Sequence, residues 1–198
     1  MLYNTGKGLC WFIIRVLLHN RIRVRGAVHV PRKGGFIVAS NHLSNLDPVV
    51  VGIACPRSLN FMAKEELFRP ALARLILSNV KAFPVRRGAA DIGSIREAMR
   101  RVKKGGGLLL FPEGTRGGLI SVAAPQPGVG MLAQKLGVPV IPAWITGTDK
   151  ALPRGSSRPK SGQVLTVRFG APVSLDKSFD SRRTAESIMD AIRGLAHG

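Results

Sequence analysis

Apolar residues along this chain gather into short runs separated by Gly, Pro and basic residues, and the period of those runs switches between two and about 3.6. "RVRGAVHVP" and "GGFIVAS" read as two short strands split by the turn signal Pro31-Arg32-Lys33-Gly34-Gly35. "LDPVVVGIA" reads as a helix, with Asp47 near its start and Pro48 where a missing N–H costs nothing. "SLNFMAK" predicts a strand, "EELFRPALARLILSNV" a helix bent at Pro70, and "KAFPVRR" a short extended segment. "DIGSIREAMRRVKKG" places Ile92, Ile95, Met99 and Val102 at helical spacing, and its basic end complements the helix dipole before Gly105 stops it. "GGLLLFPEG" is a buried strand, "PGVGMLAQKLG" a short helix, and "VPVIPAWITGT" and "QVLTVRFG" are strands. "SRRTAESIMDAIRGLA" closes the chain as an amphipathic helix with Ile188, Ile192 and Leu195 on one face.

This alternation predicts an α/β protein: a single-domain sandwich with a mixed central sheet flanked by helices. The basic, turn-rich stretch "ALPRGSSRPKSG", residues 151–162, is a loop inside that domain, because the strand after it still needs a sheet to join. No internal repeat is visible.

The N-terminal run "GLCWFIIRVLL", residues 8–18, is apolar except for Arg15 and has about half of the roughly 20 residues that a bilayer-spanning helix needs. The basic "HNRIRVR" follows where a signal peptide would carry a small-residue cleavage site. The expectation is an amphipathic helix lying in a membrane interface, with Trp11, Phe12, Ile14, Leu17 and Leu18 toward the acyl chains and Lys7, Arg15, Arg21 and Arg23 toward the headgroups. A helix packed on the protein's own core is the alternative. Residues 1–24 are accordingly read as a membrane-interface helix and residues 25–198 as the globular domain.

Charge sharpens the picture. Thirty Lys and Arg against eleven Asp and Glu give a net charge of +19, whose self-repulsion calls for a phosphate-bearing partner. An aromatic content of 6% offers few stacking platforms for single-stranded nucleic acid, and no nucleic-acid-binding motif is present, so an anionic membrane surface is the favoured partner. Cys10 and Cys55 form neither a disulfide framework nor a zinc spacing, which favours a reducing compartment. His19, His29, His42 and His197 are scattered with no ligand-type pairing, so no metal is expected.

Two polar islands interrupt the apolar pattern. In "SNHLSNLD" the Asp47 carboxylate can accept a hydrogen bond from His42 Nδ1–H across the strand-to-helix turn, leaving Nε2 outward as a general base. Ser44 lies between them, but no G-x-S-x-G elbow surrounds it, so the hydroxyl to be deprotonated is assigned to a substrate. In "LLLFPEGTRGG" a buried strand ends in Glu113, Gly114, Thr115 and Arg116. Glycine lets a ligand approach the backbone, Arg116 can grip a phosphate through its planar fork, Thr115 adds a hydroxyl, and Glu113 can bond a polyol or hold the arginine.

"NHLSNLD" followed by "FPEGTR" resembles the glycerolipid acyltransferases, the group that includes 1-acyl-glycerol-3-phosphate acyltransferases. The family's H-x4-D block falls on His42 and Asp47, and its F-P-E-G-T-R block on Phe111 to Arg116. "AFPVRR", residues 82–87, is similar to the block whose arginine helps bind glycerol phosphate, which places that role on Arg87 with Arg86 as substitute. "VPVIP", residues 138–142, is similar to the block that helps shape the acyl-donor site. The resemblance covers about residues 35–147 and implies acyl transfer, without a covalent acyl-enzyme or a cofactor, from acyl-CoA or acyl carrier protein to a lysophospholipid hydroxyl. It implies His42 and Asp47 as catalytic, with Arg87, Glu113, Gly114, Thr115 and Arg116 binding the acceptor. The expected acceptor is 1-acyl-glycerol-3-phosphate, giving phosphatidic acid at the cytoplasmic face of the cell membrane, with peripheral or monotopic attachment. A lyso-aminolipid, a lyso-glycolipid or a remodelled lysophospholipid is the alternative acceptor, and a basic nucleic-acid-binding protein or a lipid binder without catalysis are the other classes. Two positions depart from the family: Gln126 stands near an expected lysine, and Lys81 where glycine is expected ahead of "AFPVRR".

Overall fold

The computed structural model describes residues 2–85, 91–114, 125–176 and 178–197. The chain begins with helix α1 (Leu2–Phe12) and a π-helical turn, Ile13–Leu17. Strand β1 (Arg21–Arg25) and β2 (Phe36–Ser40) precede α2 (Asp47–Ala54), β3 (Leu59–Lys64), α3 (Ala71–Asn79) and β4 (Ala82–Val85). Then come α4 (Ile92–Lys103), β5 (Gly107–Leu110), α5 (Pro127–Leu136), β6 (Val140–Thr146), the short α6 (Thr148–Ala151), β7 (Val164–Phe169) and α7 (Ser181–Gly194).

The strands form one mixed sheet in the order β1-β7-β6-β2-β5-β3-β4. Five adjacent strands, β6, β2, β5, β3 and β4, run parallel, with β4 at the edge; β7 pairs antiparallel with β6, and β1 pairs parallel with β7. All five residues of β2 and all four of β5 are buried, because a parallel core strand is covered on both faces and so reads as a continuous apolar run. The period of two sorts them: Phe36 and Val38 join the layer of Val50, Val51 and Ile14, whereas Ile37 and Ala39 join that of Ala98, Leu132, Ile188 and Met189. Helix α2 therefore covers one face, and α4, α5 and α7 the other.

Local capping agrees with the sequence. Asp91 accepts the N–H of Ser94 at the start of α4, Asp180 accepts that of Arg183 at the start of α7, and Gly137, at φ 59°, ends α5 in the left-handed conformation.

Several expectations are corrected. The helix read across Pro70 is split into a 3₁₀ turn, Glu65–Phe68, and α3, because Pro70 has no N–H to continue the ladder. The strand read through "RVRGAVHVP" ends at Arg25: Gly26 turns to φ 68°, where a Cβ would lie 2.0 Å from the Phe169 carbonyl oxygen, and a 3₁₀ turn follows. Ile92, assigned to the apolar face of α4, is exposed at its N-terminal end, while Val102 is buried. At the N-terminus Trp11 and Phe12 face outward, but Ile14 is buried in the core, and Lys7 turns inward so that its Nζ donates to the Cys55 carbonyl at 2.6 Å. Burial lowers the pKa of Lys7 and raises those of Cys10 and Cys55. Among the described residues, no helix is long and apolar enough to cross a membrane.

Candidate active site

Helix α2 leaves β2 on one face of the sheet, and α5 follows β5, the neighbouring strand, on the other. The chain thus opens a crevice beyond the C-terminal ends of β2 and β5, where open α/β sheets bind their ligands. Register fills it with chemistry. Ala39 of β2 pairs with Leu110 of β5, so continuing each strand by three residues sets His42 beside Glu113, although 71 positions separate them in the chain.

The loop between β2 and α2 is held at both ends. Asn41, 2% exposed, accepts the Ile145 N–H at 2.7 Å through Oδ1 and donates Nδ2–H to the Ile145 carbonyl at 2.9 Å, locking the end of β2 to β6. Asp47, fully buried at the first turn of α2, uses Oδ2 to accept three hydrogen bonds: Leu43 N–H at 2.6 Å, Ser44 N–H at 2.8 Å and His42 Nδ1–H at 2.7 Å. A carboxylate at the positive end of a helix dipole is electrostatically favoured there. The engagement of Nδ1 sets the tautomer and leaves Nε2 as the ring nitrogen available to a substrate. The His42 ring stacks on Phe111, with centroids 4.0 Å apart and planes 18° from parallel, and its backbone N–H donates to Glu113 Oε1 at 3.3 Å.

The hydroxyl of Ser44 is occupied, donating to the Leu152 carbonyl at 2.8 Å and accepting the Leu46 N–H at 3.3 Å. Ser44 is buried and serves the loop's shape rather than acting as a nucleophile. Glu113, 3% exposed, ties the second polar island to the first. Gly114 follows at φ 69° and closes the turn through its N–H on the Phe111 carbonyl, and Gln126 packs over it. Arg86, Arg87, Thr115 and Arg116 lie outside the described residues.

His42 lies on the wall of a cavity of about 630 Å³, within the size range of small-molecule sites. Its walls come from Gly6, Lys7 and Cys10 of α1, Pro48, Val49, Gly52 and Ile53 of α2, Phe61 to Lys64 of β3, and Leu67, Leu77 and Phe111. The cavity runs along α2, whose lining residues from Pro48 to Ile53 span about 7.5 Å of helix axis at about 1.5 Å per residue. Lining that is mostly apolar, with His42, Asn45 and Lys64 among it and Lys7 toward the Cys55 end of α2, suits a hydrocarbon chain bearing a polar head. A second recess of about 300 Å³ lies beside Val85 and Asp91, lined also by Glu65, Phe83, Ser94 and Glu97. Among the described residues, no cluster of His, Cys, Asp and Glu has the makings of a metal site.

The acyltransferase family model matches residues 21–146. The chain belongs to the acyltransferase family. A 1-acyl-sn-glycerol-3-phosphate acyltransferase of Bacillus subtilis is 30% identical over 83% of this chain and 80% of its own length. One from Cocos nucifera is 29% identical over 87% of this chain, but the chain spans only 54% of that relative. The crystal structure of the 1-acyl-sn-glycerophosphate acyltransferase PlsC from Thermotoga maritima superposes with a TM-score of 0.78 at 26% identity, over 99% of this chain and 77% of that one.

Within this acyltransferase, sequence reasoning missed Asn41, the Phe111 stack and Lys64. The first two depend on strands distant in sequence, and Lys64 reads as an ordinary basic strand end until β3 brings it to the cavity wall shared with His42. Of the two departures from the family, Lys81 keeps a left-handed backbone at φ 63°, the conformation glycine favours, and its Nζ donates to Ser58 Oγ at 2.7 Å.

Proposed function

We propose that this acyltransferase moves an acyl group from a thioester, acyl-CoA or acyl carrier protein, to the sn-2 hydroxyl of 1-acyl-glycerol-3-phosphate, giving phosphatidic acid. The observation that carries the reading is the His42–Asp47 pair, 2.7 Å apart, with His42 on the wall of a mostly apolar cavity. The 1-acyl-sn-glycerol-3-phosphate acyltransferases of Bacillus subtilis and Cocos nucifera, as relatives, support the choice of acceptor.

His42 Nε2 takes the hydroxyl proton as the oxygen attacks the thioester carbonyl, and Asp47 stabilises the imidazolium that forms. The tetrahedral intermediate collapses by breaking the C–S bond, and the proton passes from His42 to the departing thiolate. The N–H groups of His42, Leu43 and Ser44 are spent on Glu113 and Asp47, so they are not available as an oxyanion hole. Among the described residues, the Lys64 ammonium, which lines the same cavity as His42, is suited to that charge. Orientation of lipid and thioester in one cavity is worth about 7–11 kcal/mol in favourable cases. Thr115 and Arg116, which follow Gly114 in the sequence, together with Arg87 hold the acceptor's phosphate in this reading.

The same proposal places residues 1–24 at an anionic membrane surface on its cytoplasmic face, peripheral or monotopic, and the acyl transfer in residues 25–198. Exposed Trp11 and Phe12 support it.

The test is thiol release from palmitoyl-CoA and from a palmitoyl carrier-protein thioester, with and without lysophosphatidic acid in anionic vesicles, for the wild type and His42→Ala. Acceptor-dependent release that the variant abolishes is the expected result. Release that ignores the acceptor identifies a thioesterase, and release only with another lyso-lipid reassigns the acceptor.

A further inference from the structure

Charge is distributed unevenly along the chain. The first carboxylate is Asp47, so residues 1–46 carry Lys7, Arg15, Arg21, Arg23, Arg25, Arg32 and Lys33 without a single acid. Residues 150–175 carry Lys150, Arg154, Arg158, Lys160 and Arg168, again without one.

The fold brings these two acid-free segments together. Strand β1 pairs with β7 so that Arg21, Arg23 and Arg25 stand opposite Val164, Thr166 and Arg168. Buried Asn20 donates to the Lys160 carbonyl at 3.2 Å and accepts the Gln163 N–H at 2.7 Å, and the Gly162 N–H donates to the Leu18 carbonyl at 3.1 Å. The side chains of Arg21, Arg23, Arg25, Arg154, Arg158 and Lys160 are exposed. Among the described residues, the arginines in salt bridges with carboxylates are Arg100, Arg101, Arg182 and Arg193, and none belongs to this face.

Apolar side chains border these cations. Val164 is exposed opposite Arg21, and Trp11, Phe12, Ile13 and Val16 are exposed in the segment that leads into β1. An acidic protein or a nucleic acid would satisfy the cations and leave these groups in water, whereas an anionic bilayer satisfies both. The face also lies where a lipid-using site needs it. β7 and β1 run against β2, so Arg21 and the loop before Val164 sit at the end of the sheet that carries His42, and the Leu152 carbonyl at the root of that loop accepts the Ser44 hydroxyl.

We propose that edge strand β1 and the loop of residues 154–162 form a second contact with an anionic bilayer, beside the N-terminal helix, which turns the His42 end of the sheet toward the leaflet. The choice of a bilayer rests on the lipid-acceptor reading, whereas the contact itself is measured without turnover.

The experiment compares two full-length variants that each remove four positive charges. One is Arg21→Gln/Arg23→Gln/Arg158→Gln/Lys160→Gln on this face; the other is Lys103→Gln/Lys104→Gln/Lys135→Gln/Arg182→Gln at exposed positions on α4 and its C-cap, α5 and α7. Both are checked by thermal melting, then titrated with vesicles of phosphatidylcholine alone or mixed with phosphatidylglycerol, over a range of salt. The expected result is that the first variant loses on the order of 10²-fold affinity for the anionic vesicles and has a shallower salt dependence, while the second stays within a few-fold of wild type. Equal losses would reduce the effect to net charge and overturn the proposal, as would no loss in the first variant. Unchanged vesicle binding with weakened transfer from an acidic carrier protein would replace the bilayer by that protein. If the expected binding pattern holds in a protein that transfers no acyl group to any lyso-lipid, the functional reading fails and the docking face stands.

Discussion

Replacing Asp47 by Asn tests the site most directly. The carboxylate is fully buried and accepts the N–H groups of Leu43 and Ser44 and the Nδ1–H of His42 through one oxygen. An Asn of nearly identical shape can keep its carbonyl oxygen on the two backbone donors and on Nδ1–H, so the loop and the tautomer survive. Its amide nitrogen takes the place of Oδ1, the oxygen that bonds to none of these donors. Nε2 stays free, but the imidazolium that forms on proton transfer loses its counter-charge. That loss is expected to lower kcat by about 10²-fold, about 3 kcal/mol of transition-state stabilisation at about 1.4 kcal/mol per tenfold. The assay is acyl transfer with saturating donor and acceptor, read as kcat and KM separately, beside thermal melting. KM is expected to change little, because Asp47 sits behind His42. A His42→Ala/Asp47→Asn double variant is expected to be no slower than His42→Ala, since the two residues act as a unit. Activity of Asp47→Asn within fivefold of wild type at unchanged melting temperature, or multiplicative losses in the double variant, would refute the reasoning.

Three further outcomes follow from the geometry. Ile53→Trp, on the cavity wall one turn or more beyond His42, is expected to depress transfer of long acyl chains while sparing short ones, seen as a shift in chain-length profile. Gly130→Ala would drive a Cβ to 1.9 Å from the Ser181 carbonyl where α5 crosses α7, and a loss of about 1–3 kcal/mol in denaturant unfolding is expected. Glu97 is held at a pKa of about 2 chiefly by its hydrogen bond from Arg100, below its ordinary 4.5. Its contribution to stability is therefore present above about pH 4.5 and fades as pH falls toward 2. Because the side chain is 29% exposed, Glu97→Gln is expected to cost only about 1 kcal/mol at pH 7, and the difference from wild type should shrink in unfolding curves taken near pH 2.5.

What could be read from the sequence is what depends on near neighbours. The order of strands and helices follows from apolar period, caps and turn residues, and the His42–Asp47 pair follows from a short loop leading into a helix, whose span lets the two side chains meet. The mixed character of the sheet was legible in the alternation of elements, as was the likeness carried by "NHLSNLD" and "FPEGTR". Where a local rule was over-extended, as in the helix across Pro70 or the strand past Gly26, the missing N–H and the left-handed turn decided otherwise.

The rest was set by register and layering, which couple residues far apart. Only the pairing of Ala39 with Leu110 puts the His42 N–H on Glu113, and only β6 beside β2 lets Asn41 bond both backbone groups of Ile145. The cavity exists because α1, α2 and β3 enclose it together, and the basic face exists because β1 joins β7 across 143 residues of chain. By itself, then, the sequence determined the order of the elements, the net charge and the His42–Asp47 pairing, since period, composition and short-range bonding are properties of neighbouring residues. The tertiary structure decided which strand ends share a crevice, what encloses the cavity and where the charge gathers, because hydrogen-bond register and side-chain packing act between segments whose distance along the chain carries no information about their distance in space.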